Sequence, residues 1–409
     1  MTYLYDEPAR FADDALAGFC DAHADLVRPV PGGVVRRRRS ARPKVAVIFG
    51  GGSGHYPAFA GVVGTGMGDG AVVGNIFTSP SSQRAVTVAR AASSGGGVVF
   101  SYGNYAGDVM NFGIATEQLR AEGLEVENVV VTDDIASAPP GEEDRRRGIA
   151  GDFTVYKVLG ASAERGDSFA EVVRLGRKAN AMTRTMGTAF AGCTFPGADA
   201  PLFTVPAGKM GLGLGIHGEP GIADVPLPRA SELGRLLVDK VLAERPDGAG
   251  SRVAVILNGL GSTKNEELFV LWGSVAPALR EAGLEIVAPE VGELVTSLDM
   301  AGVSLTVMYL DDELEELWLA PAVTPAYRRG NVVAEAGAGE DSADDLEDAS
   351  SVVTGTPESR AAAAQALTVL AAVHTAVAGA EAELGAHRRR GGRRRPTGRG
   401  HGQGRHGGP

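Results

Sequence analysis

Two histidines lie in stretches where most neighbouring side chains are missing. His217 sits in Gly-Leu-Gly-Leu-Gly-Ile-His-Gly-Glu-Pro-Gly (211–221), and His55 closes Gly-Gly-Gly-Ser-Gly-His (50–55). Glycine lets a ligand approach the main chain closely, so an imidazole held this way is open to direct contact with a small molecule. Its ring nitrogens can serve as acid, base or nucleophile. A third group, Asp108 in Asn-Tyr-Ala-Gly-Asp-Val-Met-Asn-Phe (104–112), follows an apolar run and a glycine. That motif alone fits a helix N-cap, which aspartate favours, as well as it fits a base. With the histidines it forms a coherent set: a carbonyl binder or nucleophile with acid/base groups beside it. The 50–55 loop fits neither phosphate fingerprint, since GxGxxG needs glycine at 55 and a P-loop needs Gly-Lys-Ser/Thr. Its successive backbone N–H groups can still form a nest for an anion or hydroxyl.

These groups need elements to position them. A helical pattern covers 8–28 and ends at Val-Pro-Gly-Gly-Val-Val (30–35). Buried strands are expected at Val45–Phe49, Gly97–Ser101 and Val129–Thr132, with helices near 83–94 and 113–123 between them. Each strand opens into a polar, glycine-containing loop (50–55, 103–108, 133–141), and ligands of open α/β sheets bind outside the carboxyl ends of strands. The three loops are expected to converge on one site. A second set follows a helix near 168–182: a strand at Leu202–Val205, the His217 loop, a helix near 230–245, a strand at Val253–Leu257, a helix near 264–282, and strands near 284–288 and 303–310. The expected fold class is therefore α/β: two α/β domains with mixed sheets flanked by helices, over 1–185 and 186–330. Asp133 and Asp134 could bind metal, but acids after a strand usually face solvent and are left there. Arg145, Arg146 and Arg147, following Glu142, Glu143 and Asp144, are likewise read as a solvated loop face.

Composition bounds the partners. The 58 glycines are about twice the average share. No apolar run is long enough to span a membrane, and the first residues lack the basic and apolar regions of a signal peptide. Cys20 and Cys193 are far apart with no CxxC pattern, which fits a reducing cytoplasm and argues against structural zinc. The formal net charge is −11, yet the tail beyond Glu383 carries eight arginines and no acid. The remainder is thus more acidic still, and nucleic acid is not an expected partner.

The motifs together resemble the ketose-binding domain of the dihydroxyacetone kinase family. The carriers are 30–35, 50–55, Phe-Thr-Ser-Pro (77–80), 104–112, Arg-Arg-Gly-Ile-Ala-Gly (146–151) and Gly-Ile-His-Gly-Glu-Pro-Gly (215–221), in order across about 5–330. The resemblance implies a cytoplasmic homodimer whose histidine, here His217, adds to a ketose carbonyl as a hemiaminal. It implies Asp108 as base for the attacking hydroxyl and His55 as substrate binder and proton-transfer aid. Gly52, Ser53, Gly54 and Gly103 complete the implied substrate contacts. Family members specific for dihydroxyacetone typically carry lysine where this chain has Gly103. Many also have glutamate at Tyr56 and a Glu-Met-Glu-Leu-Gly run where this chain reads Lys-Met-Gly-Leu-Gly (209–213). These departures resemble the erythrulose branch, so a tetrulose is expected, with dihydroxyacetone next. Some relatives use the fold as a coregulator, and a non-enzymatic binding protein is the alternative.

ATP and Mg2+ are expected not on this part but on a helical L domain, in the same chain or as a separate subunit. After an acidic linker (331–356), an Ala-rich helix (357–386) resembles the start of that domain, and a basic tail follows (387–409). Read one base out of register from the His387 codon, the codons for that tail permit Ile-Asp-Ala-Val-Ala-Gly-Asp-Gly-Asp, the L-domain metal motif. The expectation is a truncated L domain with an out-of-frame tail, and a chain unable to transfer phosphate alone. A native, nucleic-acid-binding basic tail is the alternative.

Overall fold

The run Val45–Phe49 is buried on both faces, as a strand covered by helices on both sides must be. It forms the centre of a six-stranded sheet in the computed structural model, which describes residues 2–331. The strands are β1 (Val27–Val30), β2 (Gly33–Arg36), β3 (Ala46–Ser53), β4 (Gly70–Ile76), β5 (Val98–Gly103) and β6 (Val126–Val131). Their order is β1-β2-β4-β3-β5-β6. The β4-β3-β5-β6 part is parallel, and β1 and β2 add an antiparallel edge. Helices α1 (Phe11–Ala22), α2 (Ser82–Ala92), α3 (Ala106–Ala121), α4 (Gly151–Arg165) and α5 (Phe169–Ala181) accompany it. Ala46 and Ile48 pack with Val86, Phe112 and Leu119 of α2 and α3, whereas Val47 and Phe49 pack with Phe153 and Tyr156 of α4.

The second sheet contains β7 (Thr183–Ala191), β8 (Lys209–Leu212), β9 (Ala223–Pro226), β10 (Arg252–Gly259), β11 (Glu285–Ile286), β12 (Glu290–Gly292) and β13 (Ala301–Tyr309). Its order is β11-β10-β13-β7-β8-β9, with β12 also on β10. Helices α6 (Ala230–Ala243) and α7 (Asn265–Glu281) cover one face, and α8 (Asp312–Leu319) precedes a short hairpin at 322–329. Helix α4 lies between the sheets, contacting β3, β5 and β6 of one and β7 and β13 of the other. Both sheets belong to one compact unit. No described helix is long and apolar enough to cross a membrane. The expected linker, Ala-rich helix and basic tail lie outside the described residues.

Several sequence expectations need correction. The first helix stops at Ala22, and 27–36 is the β1–β2 hairpin, not a helix end. Val27, Val30, Val34 and Val35 are buried there, and Gly32 turns the chain at φ +90. The glycines at 50–52 are strand rather than loop. A Cβ on Gly50 would lie 2.5 Å from the Phe112 ring, one on Gly51 2.6 Å from Phe59, and one on Gly52 2.6 Å from the Thr78 nitrogen. Their missing side chains permit this close packing, and Gly54 at φ +107 makes the turn. Leu202–Val205 is not a strand: Pro201 and Pro206 bracket it, and Leu202 is exposed. The neighbour of β13 is instead β7, whose threonines disguise it. Thr185 meets the Thr306 hydroxyl at 2.8 Å, and Thr183 meets that of Thr154 at 3.0 Å. Helix α4 was missed because Gly151–Ala163 is buried on every side, which leaves no amphipathic stripe to read.

One charged cluster is structural. Asp69 accepts from Arg36 Nη1 at 3.0 Å, Lys44 Nζ at 2.8 Å and the Val47 N–H at 3.0 Å. Glu164, at the end of α4, accepts from Arg36 at 2.8 Å and lies 3.3 Å from Lys44 Nζ. Burial alone would raise the Glu164 carboxyl, but the charges of Lys44 and Arg36 outweigh it and hold the group near 2.

Candidate functional site

Strands β3 and β5 are parallel neighbours, so their carboxyl ends deliver side chains to the same place. His55 follows β3 by two residues. Asp108 lies in the first turn of α3, directly after β5. It is not the N-cap: that position is Tyr105, and no side chain caps the helix. His217 comes from the β8–β9 connection of the second sheet. Gly215 makes room for the carboxylate of Glu219 there, since a Cβ on Gly215 would lie 2.2 Å from Glu219 Oε2. Gly218 turns the chain at φ +83.

The two imidazoles meet edge to face, Nε2 to Nε2 at 3.0 Å. His55 Nδ1 lies 2.7 Å from the Thr296 carbonyl oxygen, and His217 Nδ1 lies 2.9 Å from Glu219 Oε1. Both Nδ1 atoms face acceptors and so donate, which uses the one N–H of each neutral ring; a proton bridging the two Nε2 atoms is therefore a third, and gives the pair one positive charge beside the Glu219 carboxylate. The other Glu219 oxygen accepts the His217 backbone N–H at 2.9 Å. Burial pushes the Glu219 carboxyl up, but the hydrogen bond and charge of His217 bring it down to about 2. Burial, with the charge of His217 second, lowers His55 to about 3. Phe77 stacks on His55 at 5.0 Å and meets His217 edge-on at 4.8 Å, and Tyr105 closes on His217 from another side at 4.8 Å. Phe77 takes φ +48 to do so, the kind of backbone strain that collects at functional sites.

Asp108 is 8% exposed, and its Oδ1 has no hydrogen-bond partner. Burial raises its carboxyl to about 6, against a bond from Ser79 and the charge of His217. Asp108, Gly52, His55, Gly103 and His217 line one cavity of about 20 Å³, together with Phe59, Tyr105, Gly148, Asp152 and Ile216. That is room for about one water molecule. Ser53 and Gly54 do not line it. The Ser53 hydroxyl donates to the Gly74 carbonyl at 2.7 Å, and both residues face a larger groove beside Phe11, Leu16 and Phe19 of α1.

The loop expected at 133–141 contributes differently. Asp133 and Asp134 are fully buried, not solvated. Asp133 accepts from the Ile149 and Gly151 N–H groups at 2.8 and 2.7 Å, and so caps α4 from outside it. Asp134 accepts from Arg147 Nε at 2.9 Å. Arg147 also lies 3.9 Å from Glu219 and donates to the Gly213 carbonyl at 3.3 Å, bracing the His217 loop. Arg146 is buried against Glu244 at 2.7 Å, and only Arg145 keeps the solvated position expected of all three. These pairs are far apart in sequence, so local charge pattern misled.

Sequence reasoning also missed a clasp between the loops. The Thr296 N–H donates to the His55 carbonyl at 3.2 Å, the Leu298 N–H to that of Gly54 at 2.7 Å, and the Ser297 hydroxyl to that of Ile216. Nothing in Thr-Ser-Leu signals this role. Glu219 was legible in principle, two residues after His217 in a motif already singled out. Among the described residues no group of three or more His, Cys, Asp or Glu side chains is arranged to hold a metal ion.

The chain is similar to known proteins over most of the described residues. The Dak1 domain matches residues 17–326. The chain is 63% identical over 330 residues to a D-erythrulose kinase of Mycolicibacterium smegmatis, which covers 81% of this chain and 57% of the relative. It is 56% identical over 336 residues to an L-erythrulose kinase of Pectobacterium atrosepticum, with the same coverage. It therefore spans little more than half the length of these curated relatives. Among solved structures, the dihydroxyacetone kinase of C. freundii superimposes with a TM-score of 0.73 at 32% identity, covering 83% of this chain and 64% of that one. Family match, identity and fold agree, and the chain belongs to the Dak1 domain family.

Proposed function

We propose that this chain is the ketose-holding part of a tetrulose kinase, and that it binds its substrate as a hemiaminal on His217. The supporting observation is the His55–His217 contact, oriented by Glu219 and Thr296, in one cavity with the Asp108 carboxyl, whose Oδ1 has no partner. Entry of the ketose parts that contact. The His217 Nε2 lone pair forms a bond to the carbonyl carbon, and the C=O π electrons move to oxygen. The proton that bridged the imidazoles passes by way of His55 Nε2 to that oxygen as the bond forms, since buried His55 does not hold the charge itself. His217 keeps its Nδ1–H against Glu219, whose carboxylate balances the imidazolium charge. The covalent bond fixes the terminal hydroxyl beside Asp108, which accepts its proton during transfer; such positioning is a large share of phosphoryl-transfer catalysis.

A tetrulose is favoured because both erythrulose kinases above exceed 50% identity. The phosphoryl donor, ATP with Mg2+, is held by a nucleotide-binding domain or subunit outside the described residues, and the homodimer expected from the resemblance belongs to the same proposal. Native intact-mass spectrometry of the full chain with erythrulose tests the binding step. Wild type gains the whole mass of the ketose without loss of water, and His217→Ala gains none. Equal adduct on both proteins overturns the covalent reading. Addition of a separate nucleotide-binding domain then reports whether the held ketose is phosphorylated.

A further inference from the structure

Asp152 occupies the second position of α4, where aspartate ordinarily serves the helix terminus. Here that work is done by Asp133, which accepts from the Ile149 and Gly151 N–H groups. The α4 terminus has no side-chain cap of its own. Asp152 is 4% exposed, its Oδ1 is buried without a hydrogen-bond partner, and it lines the cavity of His217, His55 and Asp108. Oδ1 lies under the crossing of Gly103 and Gly148: a Cβ on Gly148 would be 3.0 Å from it and 2.4 Å from Gly103 Cα. An unsatisfied polar group in such a place costs about 1–3 kcal/mol, so an apolar residue would serve the fold better. The carboxyl also interacts with the Tyr156 hydroxyl one turn along α4, but Oδ1 keeps no hydrogen-bond partner and stays open to a group in the cavity.

The charge state narrows what that is. Burial pushes the Asp152 carboxyl well up, and the charge of Asp133 adds to this. Asp133 holds two backbone N–H bonds and is the group of the two that ionises. A protonated carboxyl presents one donor and one acceptor, the pattern that matches a hydroxyl, whereas a carboxylate only accepts. Asp108, across the same cavity, titrates near 6 and is free to act as the base. Two carboxyls whose environments push them apart take different roles.

We propose that Asp152 is a specificity-determining residue of this cavity, binding through its carboxyl the ketose hydroxyl that is not phosphorylated. The proposal rests on the ketose reading above. Its test is calorimetric binding to the full chain of dihydroxyacetone and of hydroxyacetone, which keeps the carbonyl and one hydroxyl but lacks the other. Wild type is expected to favour dihydroxyacetone by about tenfold or more. Asp152→Ala brings the ratio near one by weakening dihydroxyacetone, with hydroxyacetone unchanged within about twofold. Asp152→Asn, which also offers a donor and an acceptor, keeps the preference. If the Ala protein does not fold, Asp152→Val reads the same ratio without a polar atom. A ratio unaltered in Ala or Val, or lost in Asn, overturns the proposal and leaves the ketose reading standing. A wild type that binds neither ketone overturns both.

Discussion

The Arg36–Asp69–Lys44–Glu164 network, built on buried Asp69 and Lys44, and the buried carboxyls around the His55–His217 contact follow opposite plans. In the network every acid meets a base or a backbone N–H, and both Asp69 oxygens are used. In the cavity Asp108 and Asp152 each leave an oxygen unpaired. A buried group that is fully paired serves the fold. One left unpaired costs stability and keeps bonding capacity for a ligand.

The sharpest way to break the comparison is to neutralise each site. His217→Ala should abolish the ketose adduct in native mass spectra. Asp108→Asn should retain the adduct and lose about 10²–10⁴-fold in phosphoryl transfer, assayed with a supplied nucleotide-binding domain. Loss of the adduct in Asp108→Asn would place that residue in binding instead.

Next comes stability, where the same chemical change should act with opposite sign. Asp69→Asn leaves Arg36 and Lys44 with Glu164 alone and should destabilise by roughly 1–3 kcal/mol in urea unfolding. Asp108→Asn removes a charge the fold disfavours. Its folded carboxyl titrates near 6 against an ordinary 3.8, so the folded state holds the proton more tightly and stability falls as pH rises from 3.8 through 6. At neutral pH the Asn protein should therefore be more stable by roughly 2–3 kcal/mol, a gain that vanishes below pH 3.8. A destabilised Asp108→Asn protein would mean that the carboxylate has a structural partner.

The smallest effect is the acid limb. Glu164 titrates near 2 when folded and 4.5 ordinarily. Its contribution is present above 4.5 and lost as pH falls through 2. Glu164→Gln should flatten the fall of Tm between those values, opposite in direction to the Asp108 limb. An unchanged slope would show that the ion pairs contribute nothing there.

The histidines and Asp108 were legible because glycine and apolar runs isolate them, and the strands at β3, β5, β6, β10 and β13 because their cores are continuous. What escaped depended on partners distant in sequence. Arg146 reads as a surface charge until Glu244, 98 residues on, is beside it. Strand β7 reads as polar until its threonines meet those of other elements. Helix α4 has no polar face to reveal its period, so nothing in the sequence marks Asp152, or Asp133 as the group that caps that helix.

The crowding along β3 also decides how this cavity could be re-engineered. A library randomising Gly50, Gly51 and Gly52 would search positions where any added carbon strikes a ring or the main chain. Room for a longer sugar has to come from the other side of those contacts. Phe59 leans on Gly51 and also lines the cavity, so trimming that ring changes the volume beside His55 while the strand beneath keeps its register.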